Sequence, residues 1–236
     1  VALQHLHVVF GLDRGGLVGA DGPTHHGAFD LSYLRLIPEL TIMAPKDESE
    51  LRDMLYTATL ETNGPIAIRY PRGNGVGVPL KQGFDHVPIG KGEVLRKGDH
   101  VAILAIGAAV QNALKAAEIL QQEGTNAEVV NMRFVKPIDT ELIVDVAKRF
   151  NCIVTVEDNS IRGGFGSAVA ECLAEQRLTG IQLKMHGIPD RFVDHGSPDE
   201  LAKEVMLDAQ GIASVVLDFF RPQAAGTQTH AEIIAH

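Results

Sequence analysis

The sequence predicts an α/β protein built as two successive blocks, each a mainly parallel sheet covered by helices. Short apolar runs of strand length alternate with stretches at helical spacing through most of the 236 residues, which is the pattern of βαβ units. The alternation is interrupted once, between Pro71 and Gly98, by a stretch rich in Gly and Pro that holds no sustained period. A composition of 45% hydrophobic and 22% charged residues suits a globular chain able to bury a core in one large or two small domains.

In the first block, strand-like Val8–Leu12 leads through a Gly-rich stretch, Arg14–Gly27, to a short helical pattern around Phe29–Leu36 and a strand at Thr41–Ala44. Pro45 and Asp47 open a second helix. Asp47 with Glu50 three residues on fits a capping box, and Leu51, Met54, Leu55 and Ala58 recur at helical spacing, so one face is expected to pack on the sheet. A strand at Ile66–Tyr70 closes the block. After the Gly/Pro stretch, which leaves room for one short hairpin, the second block predicts strands at Val101–Ile106, Glu128–Asn131, Ile153–Val156 and Gln182–Met185. Helices are expected at Val110–Glu123, Thr140–Phe150, Phe165–Arg177, Asp199–Leu207 and Ile212–Phe220, with a frayed tail after Pro222. The domain organisation is therefore 1–78, a linker at 79–99, a second domain at 100–221 and a tail at 222–236.

Charge and motifs exclude several functions. The net charge of −9, with acidic and basic residues interleaved and no basic stripe, argues against a nucleic-acid backbone as the main partner. No apolar run approaches the ~20 residues that span a bilayer, and no signal-like segment opens the chain, which reads as soluble and cytoplasmic. Cys152 and Cys172 lack the spacing of zinc or redox pairs and read as buried structural thiols. There is no HExxH, GxSxG or kinase signature. His86, His100, His186 and His195 are scattered and read as surface or capping residues, and adjacent His25 and His26 are poorly placed to share a metal. The start at Val1, directly before a strand, predicts a chain that begins inside a larger protein.

The stretch Asp13–Gly27 is the richest in chemistry. Its glycines allow turns and close approaches that a Cβ would obstruct. Arg14, Asp21 and His25 offer a permanent cation, a carboxylate and a group titrating near neutrality, a set suited to proton transfer on a phosphorylated, hydroxylated substrate. It lies at the carboxyl end of a strand, where ligands bind in α/β sheets. It reads equally as a surface turn in which Arg14 pairs with Asp21. Arg72, in Arg69–Tyr70–Pro71–Arg72–Gly73–Asn74, stands past another strand and could join Arg14 on one phosphate, or form a surface ion pair. The segment Glu157–Ser167 reads as a tight turn with close helix–sheet packing, although its glycines could also aim helix N-terminal amides at an anion.

The run from Asp13 to Gly27, continuing through Ala28–Arg35, Ile37–Pro38 and Met43–Ala44–Pro45, resembles the 1-deoxy-D-xylulose-5-phosphate synthase family of thiamine-diphosphate enzymes. Arg69–Asn74, Val130–Asp139, Val156–Asn159 and Gly187–Asp190 are similar to it as well. The resemblance implies a transketolase-like architecture in which this chain supplies the latter half of a pyrimidine-binding domain and a whole C-terminal domain. It implies a transferase that joins pyruvate to D-glyceraldehyde 3-phosphate with decarboxylation, feeding isoprenoid and thiamine biosynthesis, with thiamine diphosphate and Mg²⁺ held by an N-terminal portion of the same homodimeric enzyme. No cofactor or metal anchor is assignable here, and the chain alone is expected to be inactive. On the matching positions, Arg14 and Arg72 would bind the acceptor's phosphate. Asp21 would hydrogen-bond hydroxyl or cofactor groups, and His25 would orient intermediates or move protons, while His26 receives no role. Competing readings are a transketolase or 2-oxoacid dehydrogenase β-subunit relative, which lack the continuous Asp13–Gly27 motif, and a catalytically silent interaction module.

Overall fold

A computed structural model describes residues 1–61 and 63–220, so the fraying expected after Pro222 lies outside the described residues. It contains two mixed, mostly parallel sheets with helices packed on them. In the first sheet β1 (Val9–Leu12), β2 (Thr41–Met43) and β3 (Ile66–Arg69) are parallel, in the order β1-β3-β2. Helices α1 (Asp30–Leu34) and α2 (Glu48–Leu60) make the crossovers. The second sheet runs β4 (Glu93–Arg96), β6 (Ala127–Asn131), β5 (Val101–Ala105), β8 (Cys152–Ser160), β9 (Gln182–Ile188). Helices α3 (Ala109–Gln122), α4 (Thr140–Arg149), α5 (Phe165–Glu175), α6 (Pro198–Glu204) and α7 (Ala209–Phe220) flank it. Strands β5 and β6 are buried at every residue; β5 is the continuous apolar run expected of a strand with parallel neighbours on both sides, whereas β6 also buries Glu128 and Asn131. No helix among the described residues is long and apolar enough to cross a membrane.

The structure departs from the sequence reading in several places. The Gly/Pro stretch holds no hairpin: β4 pairs antiparallel with β6, which separates it from β5. A short strand that the periodicity did not reveal, β7 (Phe134–Lys136), crosses over to pair antiparallel with β2, so residues of the second block complete the first sheet. Asp47 does accept from the Glu50 amide (2.8 Å), but the capping box is not closed, because Glu50 turns to the Lys46 amide instead (2.7 Å). Leu55 is exposed, and α2 buries Met54, Thr57 and Ala58 with two acids, Glu50 and Asp53. The box closes at α6, between Ser197 and Glu200.

The two blocks are fused by burial and charge. One apolar cluster contains Leu31, Ile42 and Ala67 of the first block together with Leu104, Val130, Ile153 and Phe165 of the second. Beside it, Glu50 accepts from Lys46 (3.1 Å), Arg133 Nε (2.7 Å) and Asn131 (3.0 Å), and Glu93 closes the network onto Lys46 (3.0 Å) and Arg133 (2.7 Å). A carboxylate as buried as Glu50 is tolerated because it is paired and hydrogen-bonded on several sides. Cys152 and Cys172 are free and buried, and burial pushes the Cys152 thiol up to about 11.

Candidate active site

Strands β1 and β3 are parallel neighbours with Leu12 opposite Arg69, so the loops that follow them leave the sheet side by side at its carboxyl end. This register is what unites two segments that lie far apart in sequence. The loop after β1 closes into a ring at its base: the Gly16 amide donates to the Gly27 carbonyl (2.9 Å) and the Gly27 amide to the Arg14 (3.1 Å) and Gly16 (3.0 Å) carbonyls. The Gly15 amide donates to the Tyr70 carbonyl (2.9 Å), tying the ring to the loop after β3.

Arg69, the last residue of a strand buried throughout, sits beneath this ring. Its Nε donates to Asp30 (3.2 Å), Nη1 to the Asp158 carboxylate, and Nη2 to the Gly27 and Asp158 carbonyls (both 2.9 Å). Burial alone would weaken its hold on the proton, yet the Asp158 and Asp30 carboxylates raise its pKa above the ordinary guanidinium value, so it stays charged. The glycines of the ring follow from this packing. A Cβ on Gly15 would stand 2.7 Å from Arg69 Cδ and 2.8 Å from Cζ, and one on Gly16 2.6 Å from Asp158 Oδ2.

Above the base, Asp21 forms an ion pair with Arg72, both partly exposed. Arg72 and Gly73 line an open groove of about 510 Å³ with Val18 and Ala20 of the ring and His195–Pro198 of the second block. Gly22 lies against His195, where a Cβ would come within 3.3 Å of its Cβ. His25 is exposed, with the Thr24 hydroxyl 2.9 Å from Nδ1. His26 is structural: Nδ1 accepts from the Val18 amide (3.1 Å) and Nε2 lies 3.3 Å from the Asp194 carbonyl. Arg14 adopts a left-handed backbone (φ 61°) at the ring's base, its Nε 3.8 Å from the Asp13 carboxylate, and is not among the residues lining the Arg72 groove. The structure thus brings Asp21 and Arg72 together, and Asp21 is ion-paired with Arg72 while Arg14 lies beside Asp13.

Helix α5 does aim its first amides at an anion, but that anion is the chain's own Glu157, which accepts from Phe165 (2.7 Å) and Gly166 (2.8 Å). Burial pushes the Glu157 carboxyl up to about 7 against those amides. His186 is buried rather than superficial, 2.8 Å from the Met206 carbonyl, and burial lowers its pKa. Among the described residues no group of three or more His, Cys, Asp or Glu could hold a metal ion. A magnesium diphosphate needs several converging oxygen ligands. The described residues do not make that end of a cofactor site.

Residues 1–76 match the family described as transketolase, pyrimidine binding domain, and residues 90–212 match transketolase, C-terminal domain. The chain belongs to the transketolase family. Within it, the sequence is 56% identical over 225 residues to 1-deoxy-D-xylulose-5-phosphate synthase 1 of Geobacter sulfurreducens, covering 95% of this chain and 35% of that protein. It is 55% identical over 221 residues to the 1-deoxy-D-xylulose-5-phosphate synthase of Chlorobaculum tepidum, covering 94% and 35%. The chain therefore spans about a third of the length of these relatives. A solved structure described as split gene transketolase, inactive beta4 tetramer superposes with a TM-score of 0.82 at 33% identity, covering 93% of this chain and 69% of that one. A transketolase of Pichia stipitis shares the fold (TM-score 0.73, 23% identity, covering 93% and 31%).

Sequence reasoning missed Arg69, Asp158 and His195 as neighbours of the site. The first had a signal. An arginine ending an otherwise apolar strand that is buried on both faces must find carboxylates there, and Asp30 and Asp158 fall in the resemblance-bearing segments. Nothing in the spacing places His195 beside Gly22.

Proposed function

We propose that this chain is the acceptor-binding part of a thiamine-diphosphate-dependent 1-deoxy-D-xylulose-5-phosphate synthase. That transferase condenses pyruvate with D-glyceraldehyde 3-phosphate, releases CO₂, and feeds isoprenoid and thiamine synthesis. The reading rests on one observation above all: the Asp21–Arg72 pair at the rim of an open groove on the carboxyl ends of β1 and β3. A phosphate dianion entering the groove takes the guanidinium fork from Asp21, because Arg–phosphate pairing is bidentate and charge-assisted. Asp21, so released, accepts hydrogen bonds from the acceptor's hydroxyls. Arg14, with a half-exposed side chain in the same loop as Asp21, is the second cation of this proposed phosphate site. His25, steadied at Nδ1 by Thr24, uses Nε2 to hold or move the proton of the reacting oxygen.

When bound, thiamine diphosphate with Mg²⁺ supplies the nucleophile and electron sink for decarboxylation. Its anchors belong to the portion that the relatives have beyond the region matched here, whether fused or a separate chain, in a cytoplasmic homodimer. The domain limits 1–78 and 100–221, joined by 79–99, are part of the same proposal. Alone, the chain is inactive, in keeping with the description of the split-gene relative as an inactive tetramer. The test is steady-state kinetics of Arg72→Ala in the complete enzyme: KM for D-glyceraldehyde 3-phosphate rises at least ~10-fold while KM for pyruvate holds. Equal effects on the two substrates would remove Arg72 from the phosphate site.

A further inference from the structure

The second block touches the candidate site at a point that the proposed reaction does not use. Asp158 stands at the carboxyl half of β8, in the second sheet, yet its side chain and its carbonyl both hold Arg69, the last residue of a strand in the first sheet. Arg69 in turn holds the Gly27 carbonyl, which closes the base of the ring carrying Arg14, Asp21 and His25. The guanidinium is almost wholly enclosed, with a relative exposure of 1%. A buried charge with this many fixed partners has one geometry available, since each alternative leaves a donor unsatisfied in a medium of low dielectric.

The neighbouring backbone is fitted to that geometry. Gly15 and Gly16 leave no room for a Cβ against Arg69 and Asp158 respectively. Ring, guanidinium and carboxylate are therefore seated as one unit across the two sheets. The Ser160 amide also donates to the Ala28 carbonyl, just past the ring (2.6 Å), so β8 grips the ring's exit as well as its base.

We propose that Asp158 is a positioning residue: acting through Arg69, the second block sets the conformation of the acceptor-binding ring. This rests on the reading of that ring given above. Asp158 touches neither Asp21 nor Arg72 in the hydrogen bonds and ion pairs described, so its effect reaches the acceptor only through ring geometry. Replacing its carboxylate by an amide leaves Asp30 as the one carboxylate hydrogen-bonded to Arg69 and loosens the Gly27 contact. The acceptor end should suffer, and the handling of pyruvate should not.

The experiment uses the complete enzyme, with Asp158→Asn, Asp158→Glu, Arg72→Ala and Glu50→Gln measured side by side. Glu50 belongs to the other inter-block charge network and is a control for simple weakening of the interface. Asp158→Asn is expected to raise KM for D-glyceraldehyde 3-phosphate at least ~10-fold with KM for pyruvate within ~2-fold. Asp158→Glu, which keeps the charge, recovers most of that loss. Glu50→Gln lowers thermal stability without separating the two substrates. The inference is overturned if Asp158→Asn leaves the acceptor KM within ~2-fold while Arg72→Ala raises it, or if it raises both KM values by the same factor, so that, like Glu50→Gln, it does not separate the two substrates. Should Asp158→Asn not fold, Asp158→Glu is judged by the same split between substrates. If Arg72→Ala itself has no effect, the reading of the site fails, and hydrogen exchange decides the clamp: faster exchange at the Gly16 and Gly27 amides in either Asp158 variant supports it, and unchanged exchange overturns it.

Discussion

Gly15→Ala isolates the packing beneath the ring. Gly15 lies outside the left-handed region, so the methyl carries a steric cost and no backbone penalty. The added Cβ meets Arg69 Cδ at 2.7 Å and Cζ at 2.8 Å, with Nε closer still. Arg69 can yield only by giving up its 3.2 Å bond to Asp30. Overpacking of this kind costs roughly 1–3 kcal/mol, and losing a hydrogen bond between charged groups roughly 1.5–3 kcal/mol, about 2.5–6 kcal/mol together. For a chain of this size that is a fall in Tm of roughly 5–24 °C, at about 2–4 °C per kcal/mol. Gly124→Ala is the comparison, because Gly124 has φ 79° and nothing within 4 Å of its Cβ position. It incurs only the left-handed cost of about 1–2 kcal/mol. Thermal unfolding followed by far-UV circular dichroism measures both. A Gly15→Ala protein that unfolds no lower than Gly124→Ala would refute the placement of Arg69 under the ring.

Other predictions probe separate parts of the structure. Glu157 has its folded pKa raised from 4.5 to about 7, so the fold binds its proton more tightly than the unfolded chain. Its contribution, roughly 3 kcal/mol from the size of that shift, is therefore present in full below about pH 4.5 and lost as pH rises through about 7. Glu157→Gln should flatten the decline in Tm between pH 5 and 8, and a wild-type-minus-variant difference independent of pH would contradict this. Arg133→Ala leaves Glu50 and Glu93 short of a partner and should cost roughly 3 kcal/mol in urea unfolding with an unchanged m-value; a loss below about 1 kcal/mol would show that Lys46 and Asn131 suffice. His25→Ala in the complete enzyme should lower kcat at least ~100-fold with both KM values little changed. Weaker binding at an unaltered kcat would take His25 out of the chemistry.

The α/β class and most elements were legible because parallel strands buried on both faces, such as Val101–Ala105, are continuous apolar runs, and the helices between them keep their period. What escaped were the antiparallel additions, β4 and β7. Each is short and takes its place from a partner strand rather than from its own pattern, and β7 even joins the sheet of the other block. The capping box at Asp47 failed for a related reason, since Glu50 is drawn into a network with Arg133 and Asn131, more than 80 residues away in sequence. At the site, the residue types of Asp13–Gly27 and Arg72 marked the right loops, but only the β1–β3 register made Asp21 and Arg72 neighbours. The reason for the glycines was invisible without Arg69 and Asp158 in place.

The most direct test of the account is whether the Arg72 guanidinium recognises phosphate. In the complete enzyme, kcat/KM is measured for D-glyceraldehyde 3-phosphate and for unphosphorylated D-glyceraldehyde, with wild type and Arg72→Ala. Loss of a hydrogen bond to a charged group is worth roughly 1.5–3 kcal/mol, so the variant should lose about 10- to 150-fold on the phosphorylated acceptor. It should stay within about twofold of wild type on D-glyceraldehyde, erasing most of the enzyme's preference for phosphate. A preference that survives Arg72→Ala intact would contradict the assignment of this groove as the acceptor's phosphate site.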